Sequence, residues 1–144
     1  MPEKTYRYLQ CRTEQDVLVL TITEARVQGD EVAEDLRQEM LAAVDESGCG
    51  KVVIDFRHAE YLSSAAFRPL LALRRKLQET GGRIMLCGLS ETVGDVFYTT
   101  RMISDGGTVQ PLFDMEPDEA AAIARLASAG GVKGEGQASA TPGF

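Results

Sequence analysis

Lys51-Val52-Val53-Ile54-Asp55-Phe56, followed by Arg57-His58-Ala59-Glu60-Tyr61-Leu62-Ser63-Ser64 and then Ala65-Ala66-Phe67-Arg68-Pro69-Leu70-Leu71, is the stretch that sets the fold. Val52 to Ile54 is apolar on both faces, as a central strand covered on both sides requires. A loop over 57–64 follows. The apolar residues Phe67, Leu70, Leu71, Leu73 and Leu77 then recur at helical spacing, which predicts a helix to about Glu79. Thr80-Gly81-Gly82 stops it. Arg83-Ile84-Met85-Leu86-Cys87-Gly88 reads as a second buried strand. Strand, helix and strand in this order predict parallel neighbours joined by a right-handed crossover.

The pattern extends both ways. Upstream, Tyr6, Tyr8 and Leu9 point to a short first strand, and Val17 to Thr23 is a strand by its β-branched content. Gly29-Asp30 breaks it, and Asp30 is placed to cap a helix running to about Glu46. Val32, Ala33, Leu36, Met40, Leu41 and Val44 form that helix's inner stripe, and Ser47-Gly48-Cys49-Gly50 ends it. Downstream, Ser90 can cap a short helix over 91–100 with Val93, Val96 and Phe97 inward. A strand is expected over 108–113, then a last helix with Pro117 in its first turn, reaching about Ala127. From Ala129 the chain is rich in Gly, Ala and Ser without periodicity. The expected organisation is one α/β domain over 1–128 and a flexible tail over 129–144.

Composition narrows the function. The 144 residues are 44% apolar, enough for one hydrophobic core without disulfides or metal. A formal net charge of −7 repels phosphate backbones and anionic lipid heads, which disfavours direct nucleic-acid and membrane roles. Cys11, Cys49 and Cys87 are scattered and odd in number, so they read as reduced thiols and not as a metal or disulfide framework. Met1-Pro2-Glu3-Lys4 opens no secretory signal, and no apolar run approaches a membrane span, so the cytoplasm is the expected location.

Catalysis finds little support. His58 is the chain's one histidine, and beside Arg57 and Glu60 it reads as a surface residue. No nucleophile elbow, phosphate loop or metal-ligand spacing is present, so no catalytic residue, cofactor or metal is expected. The informative feature is the pair Ser63-Ser64 standing before a helix. Two readings are open there. One serine simply caps the helix, or a phosphate on it is stabilised by the helix N-terminus and adds about −1.5 to −2 charges to an exposed surface. Arg68, Arg74, Arg75 and Lys76 make the outer face of this helix basic on an acidic protein. That face is either ordinary solvated surface or a patch that meets an acidic partner. Pro69 lacks an N–H and is tolerated in a helix's first turn, so a late or locally distorted helix start is expected, with Ser64 in the loop before it.

Val52 to Phe56, Glu60-Tyr61-Leu62-Ser63-Ser64-Ala65-Ala66-Phe67 and Gly81 to Ser90 together resemble the STAS family. More narrowly they resemble the bacterial anti-sigma factor antagonists. Val96-Phe97, Thr100-Arg101-Met102, Leu112-Phe113 and Glu119-Ala120 extend the resemblance, which covers about Val17 to Ala127. It implies a single STAS-type α/β domain: a central mixed sheet of about five strands with about four helices packed mainly on one face. It also implies a binding role without catalysis. The unphosphorylated domain would bind an anti-sigma factor that is a serine protein kinase of the histidine-kinase-like ATPase fold, and phosphorylation at the start of the second helix would end the interaction. ATP belongs to the partner. The family's acceptor serine falls on Ser64, with Ser63 as the second candidate. Ser63 stands where the family has Asp, and Ala65, Ala66 and Phe67 replace Ser/Thr, Gly and Leu. The partner-binding residues so implied are Arg57, His58, Glu60, Ser63, Ser64, Arg68 and Arg75. The alternative is a STAS scaffold subunit, in an oligomer or larger signalling assembly, without phospho-switching.

Overall fold

The computed structural model describes residues 4–99 and 113–132. Its sheet grows from a hairpin. Strand β2 (Leu9–Glu14) turns at Gln15 and Asp16 into β3 (Val17–Ile22). Both turn residues have left-handed φ, 53° and 64°, as a two-residue turn matching strand twist demands. β2 and β3 pair antiparallel, and the two-residue β1 (Lys4–Thr5) adds to the edge of β2. β5 (Lys51–Asp55), β7 (Arg83–Cys87) and β8 (Asp114–Glu116) then follow β3 in parallel, giving the order β1-β2-β3-β5-β7-β8. The expected mixed sheet is thus present, with the very short β1 at its margin. A separate parallel pair joins β4 (Arg26–Val27) to β6 (Tyr61–Leu62).

Alternation along the strands sorts two cores. Leu18, Leu20, Val52, Ile54 and Leu86 face α1 (Asp30–Ser47), α2 (Phe67–Gln78) and α3 (Glu91–Thr99). Leu36 and Met40 of α1, Leu70 and Leu73 of α2, and Val93 and Phe97 of α3 fill this side. The opposite face carries Val17, Val19, Val53, Met85 and Cys87. It is covered by Ala122, Ile123 and Leu126 of α4 (Glu119–Val132). Three helices against one is the one-sided packing expected.

Several local expectations shift. Asp30 does not cap α1: Gly29 occupies the cap with φ 93°, Ala33 N donates to its carbonyl, and Asp30 is the first helical residue. The acid then sits where the helix dipole favours it. Pro117 lies before α4 and not in its first turn, because the Asp118 carboxylate accepts from Ala121 N at 2.9 Å and fixes the start one residue later. α4 continues to Val132, past the Ala127 expected for it and through Gly130 and Gly131, for which the structure offers no local reason. Ser90 does cap α3, its hydroxyl accepting from Val93 N. The expected strand over 108–113 falls outside the described residues except for Phe113, as do Thr100-Arg101-Met102 and residues 133–144.

Candidate functional site

The loop after β5 is held along its whole length by backbone bonds. Phe56 N donates to Cys87 O, Ala59 N to Phe56 O, Glu60 N and Tyr61 N both to Ala25 O, and Ser63 N to Val27 O. Beneath it lies an aromatic floor. Phe97 meets Phe56, Phe67 and Phe113 edge-on at centroid distances of 5.6, 5.1 and 6.4 Å. Ala59 and Leu62 point down into this core, while Arg57, His58, Glu60, Tyr61 and Ser64 are exposed. The Arg26 guanidinium lies over the Tyr61 ring, 4.7 Å from its centre.

The helix start is late, as Pro69 requires. Ser64–Ala66 form a single tight turn, α2 begins at Phe67, and Pro69 is its third residue, where no N–H is needed. Neither serine caps it. Ser63 precedes the tight turn without a capping bond, and its hydroxyl oxygen is buried and has no partner. Ala66 precedes α2 itself. The capping reading therefore fails, and Ser64 stands exposed one helical turn from Arg68. Arg68 reaches Asp30 at 3.0 Å, but its side chain is 65% exposed. Such a pair is held weakly and can be exchanged for a stronger anion. Leu71 is 37% exposed and Arg75 is exposed, so Arg68, Leu71 and Arg75 line one stripe of α2 at spacings of three and four, with Ser64 exposed in the turn just before it. Sequence periodicity assigned Leu71 to the core. It lies instead on the outer stripe, between the two arginines.

Arg57 belongs elsewhere. Its guanidinium turns toward Asp55 at 3.5 Å and Glu119 at 4.0 Å, behind the loop. Thr21, Asp55 and Cys87 share one row across β3, β5 and β7, on the α4 face at the strand ends. Glu119 opens α4 above this row. It pairs with Arg12 at 2.9 Å and accepts from the Thr21 hydroxyl at 3.4 Å. Asp55 is 2% exposed and accepts from Arg57 N at 2.9 Å, and the Arg57 guanidinium approaches both its carboxylate and that of Glu119. Burial, and after it the neighbouring Glu119 carboxyl, raises the Asp55 carboxyl to about 6, while the proximity of Asp55 and the contact with Arg12 lower Glu119. Burial also pushes the Cys87 thiol up, away from nucleophilic use. A cavity of about 380 Å³ opens beside Arg12, Asp55, Arg57 and Glu119. The signal for this cluster was one acid ending an apolar strand, Val52-Val53-Ile54-Asp55. Its partners are far away in sequence.

Among the described residues no group of His, Cys, Asp and Glu is arranged to hold a metal ion, and no helix is long and apolar enough to cross a membrane. The STAS domain model matches residues 8–115, and the chain belongs to that family. It is 36% identical over 72 residues to BtrV of Bordetella bronchiseptica, named for an anti-sigma factor antagonist role. That match takes in 50% of this chain and 61% of BtrV, so the shared part spans about three fifths of the relative's length. A crystal structure from Thermotoga maritima, also named for an anti-sigma factor antagonist, superposes with a TM-score of 0.69 at 15% identity, covering 83% of this chain and 95% of that one. The phosphorylated form of the Bacillus cell-fate determinant SpoIIAA superposes with a TM-score of 0.58 at 18% identity, covering 82% and 98%. These two likenesses establish the fold.

Proposed function

We propose that the chain is an anti-sigma factor antagonist that docks a serine-kinase-type anti-sigma factor of the histidine-kinase-like ATPase fold through the loop over 57–64 and the outer stripe of α2. Phosphorylation of Ser64 ends the interaction. The observation that carries this reading is the Ser64 hydroxyl: exposed, uncapped, and one turn from an arginine whose ion pair is exchangeable. A phosphate there brings close to two negative charges into a surface suited to a neutral hydroxyl. BtrV's named role and the existence of a phosphorylated SpoIIAA support the same direction. The protein works by binding, in the cytoplasm, with no cofactor of its own. His58, Glu60 and Ser64 form the loop side of the docking face, and Arg68 and Arg75 its helical side. The test is a calorimetric titration of the purified cognate anti-sigma factor with the wild type, Ser64→Ala and Ser64→Glu. Tight binding of the first two and at least a tenfold loss for the third is expected, with unchanged thermal unfolding. Equal affinity of all three overturns the switch.

The departure at Ser63 favours a second reading, a scaffold subunit of a larger signalling assembly. In place of the family's acid there is a hydroxyl turned inward and buried, so no carboxylate flanks the acceptor. Incubation with the kinase and ATP followed by mass spectrometry separates the two. Incorporation at Ser64 supports the switch, and a stable oligomer in light scattering without incorporation supports the scaffold.

A further inference from the structure

Among the described residues, Asp55 is the one charged side chain sealed from solvent. Strand register explains its position: Val53 faces α4, so Asp55, two residues on, faces α4 as well. Among the described residues α4 rests on the sheet through three buried side chains, Ala122, Ile123 and Leu126. Its first turn is fastened as well by polar contacts from β2, β3 and the loop after β5. Arg12 on β2 and Thr21 on β3 bond Glu119, and Arg57 of the loop approaches both Glu119 and Asp55, the buried acid that ends β5. A hydrogen bond between two carboxyl groups exists only while one of them holds a proton.

We propose that Asp55 and Glu119 form a proton-dependent latch that fastens the first turn of α4 to the carboxyl end of the sheet. With one proton shared, the pair is a single anion held between Arg12 and Arg57. When the proton leaves through the adjoining cavity, two carboxylates face each other across a poorly solvated gap. The arginines then hold the acids separately, and the direct tie from sheet to helix is lost. Glu14, which shares Arg12 with Glu119, and Asp118 at the helix cap add negative charge to the same surroundings. Cys87 on β7 stays protonated beside Asp55 and does not compete for the proton. The direction follows from the raised Asp55 carboxyl. The folded protein holds this proton more tightly than the unfolded chain, so the stabilisation is complete below about 3.8 and is lost as pH rises through about 6. Glu119, lowered, acts oppositely, but its window lies below 4.5 and leaves the interval from 5 to 7 to Asp55.

The latch stands apart from the docking reading. Only its consequence for Arg57, and so for the start of the docking loop, rests on that reading. The test therefore uses the full chain alone. Amide hydrogen exchange, corrected for intrinsic rates, is followed at Ala121, Ala122 and Ile123 and at Arg57 and Ala59, at pH 5 and pH 7.5. Wild-type protection at these amides is expected to fall about tenfold with rising pH, the equivalent of one unit of linkage. Asp55→Asn, whose amide donates to Glu119 at any pH, is expected to remain protected at both. Asp55→Ala is expected to be unprotected at both, and Glu119→Gln, a donor from the other side at any pH, is expected to lose the pH response as Asp55→Asn does. His58→Gln removes the chain's one imidazole and is expected to leave the wild-type response intact. A flat wild-type profile, a pH response that survives in Asp55→Asn, or one that vanishes in His58→Gln overturns the latch.

Discussion

Two arginines sit one at each end of the same stretch, and they meet opposite fates. Arg68, on the outer stripe of α2, pairs with an aspartate that is itself open to solvent. Arg57, only three residues beyond the end of a buried strand's apolar run, is itself 59% exposed but turns its guanidinium back toward Asp55 and Glu119, whose side chains are 2% and 16% exposed. The chemistry is the same guanidinium–carboxylate pair, and the dielectric around it differs. In the exposed region a charge is cheap to hold and easy to give up, which suits recognition. In the sealed region an unpartnered charge is costly, so the groups fix one another and the backbone around them. The loop over 57–64 therefore has buried acids behind it and a solvent-exposed ion pair in front.

The contrast is best broken from below. Phe97 supports the loop through Phe56 and α2 through Phe67. Phe97→Ala is expected to cost about 3–5 kcal/mol, read as the urea midpoint at constant slope. A loss under about 1 kcal/mol would mean that the loop is supported elsewhere. Next come the buried acids behind the loop. Gly88 has φ 71°, and a Cβ there would collide with the Asp55 carboxylate and stand 3.0 Å from Arg57 N. Gly88→Ala is expected to cost about 2–3 kcal/mol, from strain and from displacement of the acid together. Glu119→Ala removes the partner of Arg12, Thr21 and Asp55, and is expected to cost about 1–2 kcal/mol at pH 5. Since Glu119 is one of the groups that raise Asp55, the same variant should move the Asp55 carboxyl down toward 3.8. Carbon NMR of the side-chain carboxyls reads that shift, and an Asp55 that does not move would leave burial alone as its cause.

Much of this arrangement was readable in advance, and the exceptions share a cause. The two-sided apolar strands and the helical stripe of α2 carry their periodicity within themselves, so β5, α2 and β7 stood out in the chain. Proline chemistry likewise placed the late helix start, because a missing N–H is a local constraint. β2 escaped because its hairpin turns at Gln15 and Asp16, residues with weak turn signals compared with Asn-Gly. The pair β4 and β6 escaped because each is two residues long and exists only through the other. Of the candidate site, the basic outer face with Arg68 and Arg75 was legible in the helical pattern, and Ser64 through the family resemblance. Leu71 was misassigned because a helix with apolar residues at both 70 and 71 does not declare which one faces inward. Arg57 was grouped with the loop because nothing near it in sequence names Glu119 as its partner.

The smallest expected effect tests the front of the comparison. Arg68 bonds Asp30 across an exposed gap, with side chains 65% and 80% open to solvent. Its removal should change unfolding stability by less than about 0.5 kcal/mol. If Arg68→Ala costs as much as Glu119→Ala, the pair is structural and the two regions are not different in kind. The same substitution has a second readout. Arg68 lies one turn from Ser64 on a protein whose net charge is −7, so its side chain acts locally against an opposing field. Losing it should slow association with an acidic-faced anti-sigma factor more than it hastens dissociation. That difference should shrink as ionic strength rises toward 0.5 M, where the screening length falls to roughly 4 Å. Stopped-flow binding at two salt concentrations measures it. A rate that is insensitive to both the substitution and the salt would return the basic stripe of α2 to plain solvated surface.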